Sequence, residues 1–346
     1  MLYGLPFVAL SINSNKMDFK FKSLIELIRY FKDEKTCYDF LEQQIWGGTP
    51  ACPHCGSIHV YTRSNRSKSP AKVGVNEYKC AEKGCNKNFT ATVGTIFEAT
   101  KLPLQTWFAA IWLCTTSSKG ISSRNLALQL NITQKSAWFV LSRIREMFAS
   151  TQPDMLLTGI VEVDETYIGG KEKNKSKKVR AANKAAAQEL SGKTRHIQAI
   201  DTKVPVLGIL QRDGVIRVQP MVAANREVLI PLLDANISKD ATVVTDGLHA
   251  YRALKHTYKL HVVVNHAKDE WTNGVYSTNT IEGFWSIFKR GIIGVYHQTS
   301  PKHLHRYCNE YAYRYNVRNE NSNQKFADAI GSVIKARITY QTLIGK

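Results

Sequence analysis

The stretch Gly159-Ile-Val-Glu-Val-Asp-Glu-Thr-Tyr-Ile-Gly-Gly170 limits the possible folds more than any other part of the chain. Its alternation is that of a β-strand, with Val161 and Val163 on one face and Glu162 and Asp164 on the other. Two readings account for acids on such a strand. One is a sheet edge with a wet face. The other is a cation close by, because burying an unpaired carboxylate is costly. A metal held at the strand end is the reading for which the rest of the chain supplies matching pieces.

Downstream, the pattern alternates between strands and helices. Strands are expected at Pro205 to Gln211 and Val215 to Val218, then a helix over Arg226 to Leu233 capped by Asn225. A strand over Ala241 to Thr245 ends in Asp246-Gly247, and a short helix follows over Tyr251 to His256. Leu260 to Asn265 makes the next strand and closes in His266, and Ile281 to Ile293 makes a helix bearing Glu282. In a mixed sheet with this order, the first and fourth strands can lie side by side and the helix can bring Glu282 over their ends.

Asp164, Asp246 and Glu282 gathered there would repel one another and hold their protons tightly. Magnesium removes that cost and takes hard oxygen ligands. Two such ions activate a water or a 3′ hydroxyl and stabilise the leaving oxygen at phosphorus. Lys289 lies almost two helical turns after Glu282 and faces the same way, suited to holding a DNA strand. His266 suits a phosphate contact or a proton transfer, and equally a core or capping role. Glu162, Glu165 and Asn279 are near neighbours of the trio in sequence.

Nearer the N-terminus, Cys52-Pro-His-Cys55 and Cys80-Ala-Glu-Lys-Gly-Cys85 flank residues 56–79. Two such pairs beside short strand-like runs predict a zinc ribbon in which four thiolates fill every place on the metal, making the zinc structural. His54 is a rival ligand that would crowd the first knuckle. Seven cysteines, four of them paired this way, indicate a reducing compartment and not a disulfide framework. The loop Arg63 to Lys72 is basic, suited to phosphate contact or to plain solvation.

Residues 96–148 read as helical. Ser122 or Ser123 caps one short helix, Asn131-Ile132 turns the chain, and Thr133 caps a longer helix. This fits a helix-turn-helix that presents Gln134 and Lys135 to DNA, or else an ordinary helical bundle.

Lys and Arg number 47 against 28 Asp and Glu, a formal net charge of +19. That balance calls for a polyanionic partner, either nucleic acid or an anionic membrane surface. No apolar run reaches membrane-spanning length, and Met1 to Ile12 lacks the charged start of a secretory leader. The segment Lys171 to Arg195 carries nine basic residues against Glu172 and Glu189 and is expected to be an exposed insertion suited to a phosphate backbone.

The expected architecture is multidomain α/β: a helical segment over 1–45, a zinc ribbon over 46–95 and a helix-turn-helix domain over 96–150. An RNase H-like mixed sheet flanked by helices follows over 155–320, with the basic insertion at 171–195 and a helical tail over 321–346. The motifs Val161-Glu-Val-Asp-Glu-Thr-Tyr-Ile-Gly-Gly170, Thr245-Asp-Gly247, Val264-Asn-His266 and Asn279-Thr-Ile-Glu-Gly-Phe-Trp-Ser-Ile-Phe-Lys-Arg290 resemble those of bacterial insertion-sequence transposases with a zinc ribbon and a DDE catalytic domain. Gly291 to His297, Arg306-Tyr307 and Tyr313-Arg-Tyr-Asn316 match the same pattern, so that the resemblance spans about residues 45 to 318.

The resemblance implies an RNase H-like core and two magnesium ions, replaceable by manganese, on Asp164, Asp246 and Glu282. It implies Lys289 as the trailing basic residue and leaves Asn279 as an outside alternative for the third acid. Double-stranded DNA would be the partner, as terminal inverted repeats and target, with Gln134, Lys135, Lys289 and Arg290 as contacts. Hydrolysis would free a 3′ hydroxyl that attacks target DNA directly, in at least a homodimer and in the bacterial cytoplasm at the nucleoid. A transposase-derived regulator, or a metal-dependent nuclease without joining activity, is the alternative.

Overall fold

The computed structural model describes residues 21–63, 74–152, 154–170, 174–191, 203–264, 272–334 and 337–345. These form two compact units. One holds the described residues up to Thr151 together with those from Glu320 onward; the other holds those from Gln152 to Asn319.

The first unit begins with helices α1 (Leu24–Tyr30) and α2 (Glu34–Trp46), capped by the side chains of Ser23 and Asp33. Strands β1 (Val60–Arg63), β2 (Glu77–Cys80) and β3 (Asn88–Phe89) form an antiparallel meander. Its small core joins Trp46, Tyr78 and Phe89 beside Cys52 and Cys80. Helix α3 (Leu104–Thr116) is apolar around most of its circumference and buried, as such a helix must be.

Helices α4 (Ser123–Leu130) and α5 (Gln134–Met147) follow, joined by a three-residue turn. Ser122 caps α4, Asn131 ends it in the left-handed region at φ 50°, and Thr133 caps α5. Near the C-terminus, the carbonyl of Ile338 accepts from the buried guanidinium of Arg143 on α5, which also donates to the carbonyls of Ile96 and Glu98. Arg143 thus ties α5 to the C-terminal segment through one backbone acceptor and to the segment before α3 through two.

The second unit is a five-stranded sheet covered on both faces. Its strands are β4 (Ile160–Ile168), β5 (Val204–Gln211), β6 (Ile216–Pro220), β7 (Thr242–Thr245) and β8 (Leu260–Val263), in the order β6-β5-β4-β7-β8. β4 pairs antiparallel with β5, and β5 with β6; β4, β7 and β8 run parallel. The helices of this unit are α6 (Lys177–Ser191), α7 (Arg226–Asp234), α8 (Asn279–Gly291) and α9 (Leu304–Asn316). The remaining helices, α10 (Ser322–Gly331) and α11 (Tyr340–Ile344), belong to the first unit.

The alternation along β4 now has its explanation. Val161 and Val163 join Leu207 and Ile209 in a core with Leu229 and Leu233 of α7 and with Tyr251 and Leu254. The opposite sheet face packs Val206 and Leu210 against Ile281, Phe284, Trp285 and Phe288 of α8. β4 is therefore the central strand, not a sheet edge with a wet face. A glycine makes the second packing possible. A Cβ at Gly208 would lie 2.6 Å from Cζ2 of Trp285 and 3.0 Å from Cδ1 of Ile281. Only a residue without a side chain lets α8 approach β5 this closely.

Several expected boundaries shift. The helix carrying Glu282 begins at Asn279, and its chain path continues as a π-helical turn over Ile292–Tyr296. The helical tail opens at Ser322 under an Asn321 cap. Within the basic insertion, α6 covers more than the alanine-rich 181–187 run and exposes most of its described side chains. His266 and residues 64–72 of the basic loop lie outside the described residues.

Candidate active site and metal centre

Register places the two aspartates together. In the parallel pair of β4 and β7, Val161 aligns with Val243 and Val163 with Thr245. One step beyond that last pair stand Asp164 and Asp246, so both acids fall at the same level of adjacent strands. Asp246 leaves its strand in a turn, with Oδ1 accepting from the Leu248 amide at 3.0 Å. Glu282 lies in the first turn of α8, where Thr278 donates to its Oε1 at 2.8 Å.

Electrostatics ties the three together. Burial, joined by the charges of Asp246 and Glu282, pushes the Asp164 carboxyl up to about 6. The Glu165 backbone amide and the Trp285 indole, which donates to Asp164 Oδ2 at 3.0 Å, pull in the opposite direction. Burial also raises Glu165 to about 8, with Asp246 and Asp164 adding to the effect. Glu165 lies on the Val163 face of β4 and accepts a hydrogen bond from the Tyr251 hydroxyl. In this acidic cluster Asp164 and Glu165 resist ionising, and hard divalent cations suit it.

Glu162 shares the Asp164 face but has a different environment. It is fully buried and paired with Arg212, whose Nη2 and Nε donate to Oε1 at 2.9 and 3.1 Å. It also accepts from Thr280 Oγ1 and from the Ile281 amide, each at 3.0 Å.

Lys289 and Arg290 are exposed near the C-terminal end of α8. Lys289 borders a cleft of about 900 Å³ that also meets Gly169, Gly170, Lys175, Lys203 and His297. In the first unit, the Gln134 amide donates to Ser123 Oγ at 2.8 Å, and the Lys135 ammonium lies 4.8 Å from the centre of the Tyr340 ring. Both side chains remain exposed at the start of α5.

The sulfur cluster is tighter. The Sγ atoms of Cys52, Cys55, Cys80 and Cys85 all lie within 4.8 Å of one another. Cys52 and Cys85 are 3.7 Å apart, and Cys55 and Cys80 are 3.6 Å apart. A tetrahedron built on zinc–sulfur bonds has an edge of about 3.8 Å, so the four thiols fit a structural zinc ion. Among the described residues, no other group of three or more His, Cys, Asp or Glu brings its ligand atoms within 4.8 Å; the carboxylate trio is more open.

Comparison with known proteins gives this arrangement its family. Residues 156–316 match the ISXO2-like transposase domain, and residues 32–88 match the transposase zinc-ribbon domain. The chain belongs to the IS1595-type transposases. The match over 156–316 holds the whole sheet and Asp164, Asp246 and Glu282; the match over 32–88 holds all four cysteines. A protein in transposable element ISH50 of Halobacterium salinarum is 28% identical over 278 residues, covering 76% of this chain and 84% of that relative. Family membership therefore does not confine the chain to bacteria, as the sequence motifs had suggested. Its DDE-type domain is that of a catalytic protein, and DNA binding is general to the family. No helix among the described residues is long and apolar enough to cross a membrane.

Sequence reasoning missed four features of the site. The Trp285 indole on Asp164 and the Tyr251 hydroxyl on Glu165 join residues distant in the chain. Gly208 did carry a signal, since a glycine inside Val204–Gln211 marks close approach of another element. Arg212 carried none, because it lies 50 residues from Glu162 and beside a turn.

Proposed function

We propose that the chain is a DDE transposase that binds the terminal inverted repeats of its element, hydrolyses a phosphodiester at each end and joins the freed 3′ hydroxyls to target DNA. The observation that carries this reading is the placement of Asp164 and Asp246 at one level of two parallel strands, with Glu282 adding its field. The sheet order, with three antiparallel strands followed by two parallel ones, suits an RNase H-like core.

In this reading Asp164, Asp246 and Glu282 hold magnesium, which manganese can replace. The bound ions supply Lewis-acid activation of the attacking oxygen and stabilise the leaving one. Asp164 gives up its proton on loading, and the Trp285 indole holds its carboxylate in one orientation. Lys289 and Arg290 contact phosphates. The cleft beside Lys289 supports that role, since its charged lining residues Lys175, Lys203 and Lys289 are all basic. Asn279, the first residue of α8, is not assigned the role of third acid.

The α4–turn–α5 segment acts as a helix-turn-helix, with Gln134 and Lys135 at the start of its second helix. Zinc on the four cysteines keeps the ribbon folded beside it. Two ends must be held together, which calls for a homodimer or larger assembly, working at the DNA of the cytoplasm.

A labelled DNA end, magnesium and a target plasmid test the proposal, with Asp246→Asn run in parallel. Labelled end joined to plasmid by the wild type and absent from the variant is the expected result. End binding without cleavage favours a regulator, and cleavage without joining favours a nuclease; either outcome overturns the reading.

A further inference from the structure

Residues at the start of α8 are anchored to β4 by one buried carboxylate. Glu162 is fully buried and accepts from Arg212, from the Thr280 hydroxyl and from the Ile281 amide, the last being an N-terminal amide of the helix. Arg212 does more than neutralise that charge. Its Nη1 donates to the Val275 carbonyl at 2.8 Å and its Nη2 to the Ser277 carbonyl at 3.1 Å. The segment leading into α8 is thus held on one side of the ion pair, and the first turn of α8 on the other. The helix dipole adds to the second attachment, because its positive end meets a carboxylate.

Geometry gives this clamp its meaning. Glu162 lies two residues before Asp164 on the same strand, and the backbone that it grips lies immediately before Glu282. Glu282 reaches its place by the same turn, since its amide donates to the Thr278 carbonyl at 3.0 Å. We infer that Glu162 and Arg212 are positioning residues: they set the distance of Glu282 from Asp164 and so preorganise the divalent-ion site. A buried ion pair contributes little net stability compared with an apolar replacement, but it fixes one arrangement among several. The inference rests on the reading of Asp164, Asp246 and Glu282 as ion ligands.

The test uses the full zinc-loaded chain, with manganese as the probe ion. Isothermal titration measures manganese affinity in the wild type, Glu162→Gln and Arg212→Met. Hydrogen exchange follows the segment over 279–291, and zinc content and melting temperature report the fold. Loss of a supporting residue behind a metal ligand weakens binding by about 10–100-fold, and that weakening is expected in both variants. Faster exchange at the start of α8 and unchanged zinc content should accompany it. Thr280→Val removes a single donor to Glu162 and serves if the larger changes prevent folding, with a few-fold weakening expected.

Folded variants that melt lower but bind manganese as the wild type does would overturn the inference and leave a merely structural ion pair. Asp164→Asn separates the two levels of failure. A wild type whose manganese binding does not depend on Asp164 would overturn the reading of the acids as ion ligands, and this inference with it.

Discussion

The cysteine quartet and the carboxylate trio solve opposite problems. In the first, four sulfur atoms lie within 4.8 Å of one another and can fill all four places around zinc. In the second, the acids are more widely spread and burial holds Asp164 up to about 6. A closed site has nothing left to offer a substrate, so its metal serves folding. An open site keeps places for the attacking and leaving oxygens, and it stores charge repulsion that a proton or a cation relieves.

The largest expected break in this contrast is Cys80→Ser. Zinc contributes about 10–16 kcal/mol of apparent binding energy in small zinc domains, so the ribbon should lose its metal and its fold. Metal analysis should find no zinc, and limited proteolysis should cut within 46–95 while the sheet unit stays protected. Asp246→Asn should do the reverse. Loss of several kcal/mol of charge stabilisation at the reacting phosphate costs about 1,000-fold or more in joining rate. Its melting temperature without divalent ions should equal or exceed that of the wild type, because a repelling charge is gone.

Gly208→Ala tests how α8 is seated. The added methyl would meet Trp285 at 2.6 Å, an overpacking that typically costs about 1–3 kcal/mol. Denaturant unfolding should register that loss, and joining activity should fall because Trp285 moves off Asp164.

Acid pH should weaken the open site. Asp164 holds its proton more tightly when folded than when unfolded, so its contribution to stability is present at low pH and is lost as pH rises through about 6. A divalent ion must displace that proton. The rise in melting temperature on adding magnesium should therefore be full near pH 7.5 and shrink as pH falls through about 6. Lys289→Ala is the smallest change expected. It should weaken DNA binding without regard to sequence and reduce the salt-dependence slope by about 1.

The two sites also differ in how far the sequence disclosed them. Ligands of the ribbon come in two local pairs, and spacing alone names Cys52, Cys55, Cys80 and Cys85. The trio required the order of strands and helices, and period-two alternation in β4 was enough to place Asp164 on one face. What holds the trio in place was hidden. The attachment of Glu162 to Ile281 spans 119 residues, and that of Trp285 to Asp164 spans 121. No local pattern marks such a pair, because each partner has an ordinary reading by itself. Alternation also left open whether β4 is a wet edge; the pairing of β4 with both β5 and β7 decided it.

Anomalous diffraction from crystals grown with zinc and soaked in manganese tests the contrast most directly, with data collected at both metal edges. Zinc is expected within the four cysteines, retained through chelator washing, and manganese between Asp164 and Asp246, removed by the same wash. Manganese absent from the two aspartates, or a zinc ion that leaves a place open to water, would contradict it.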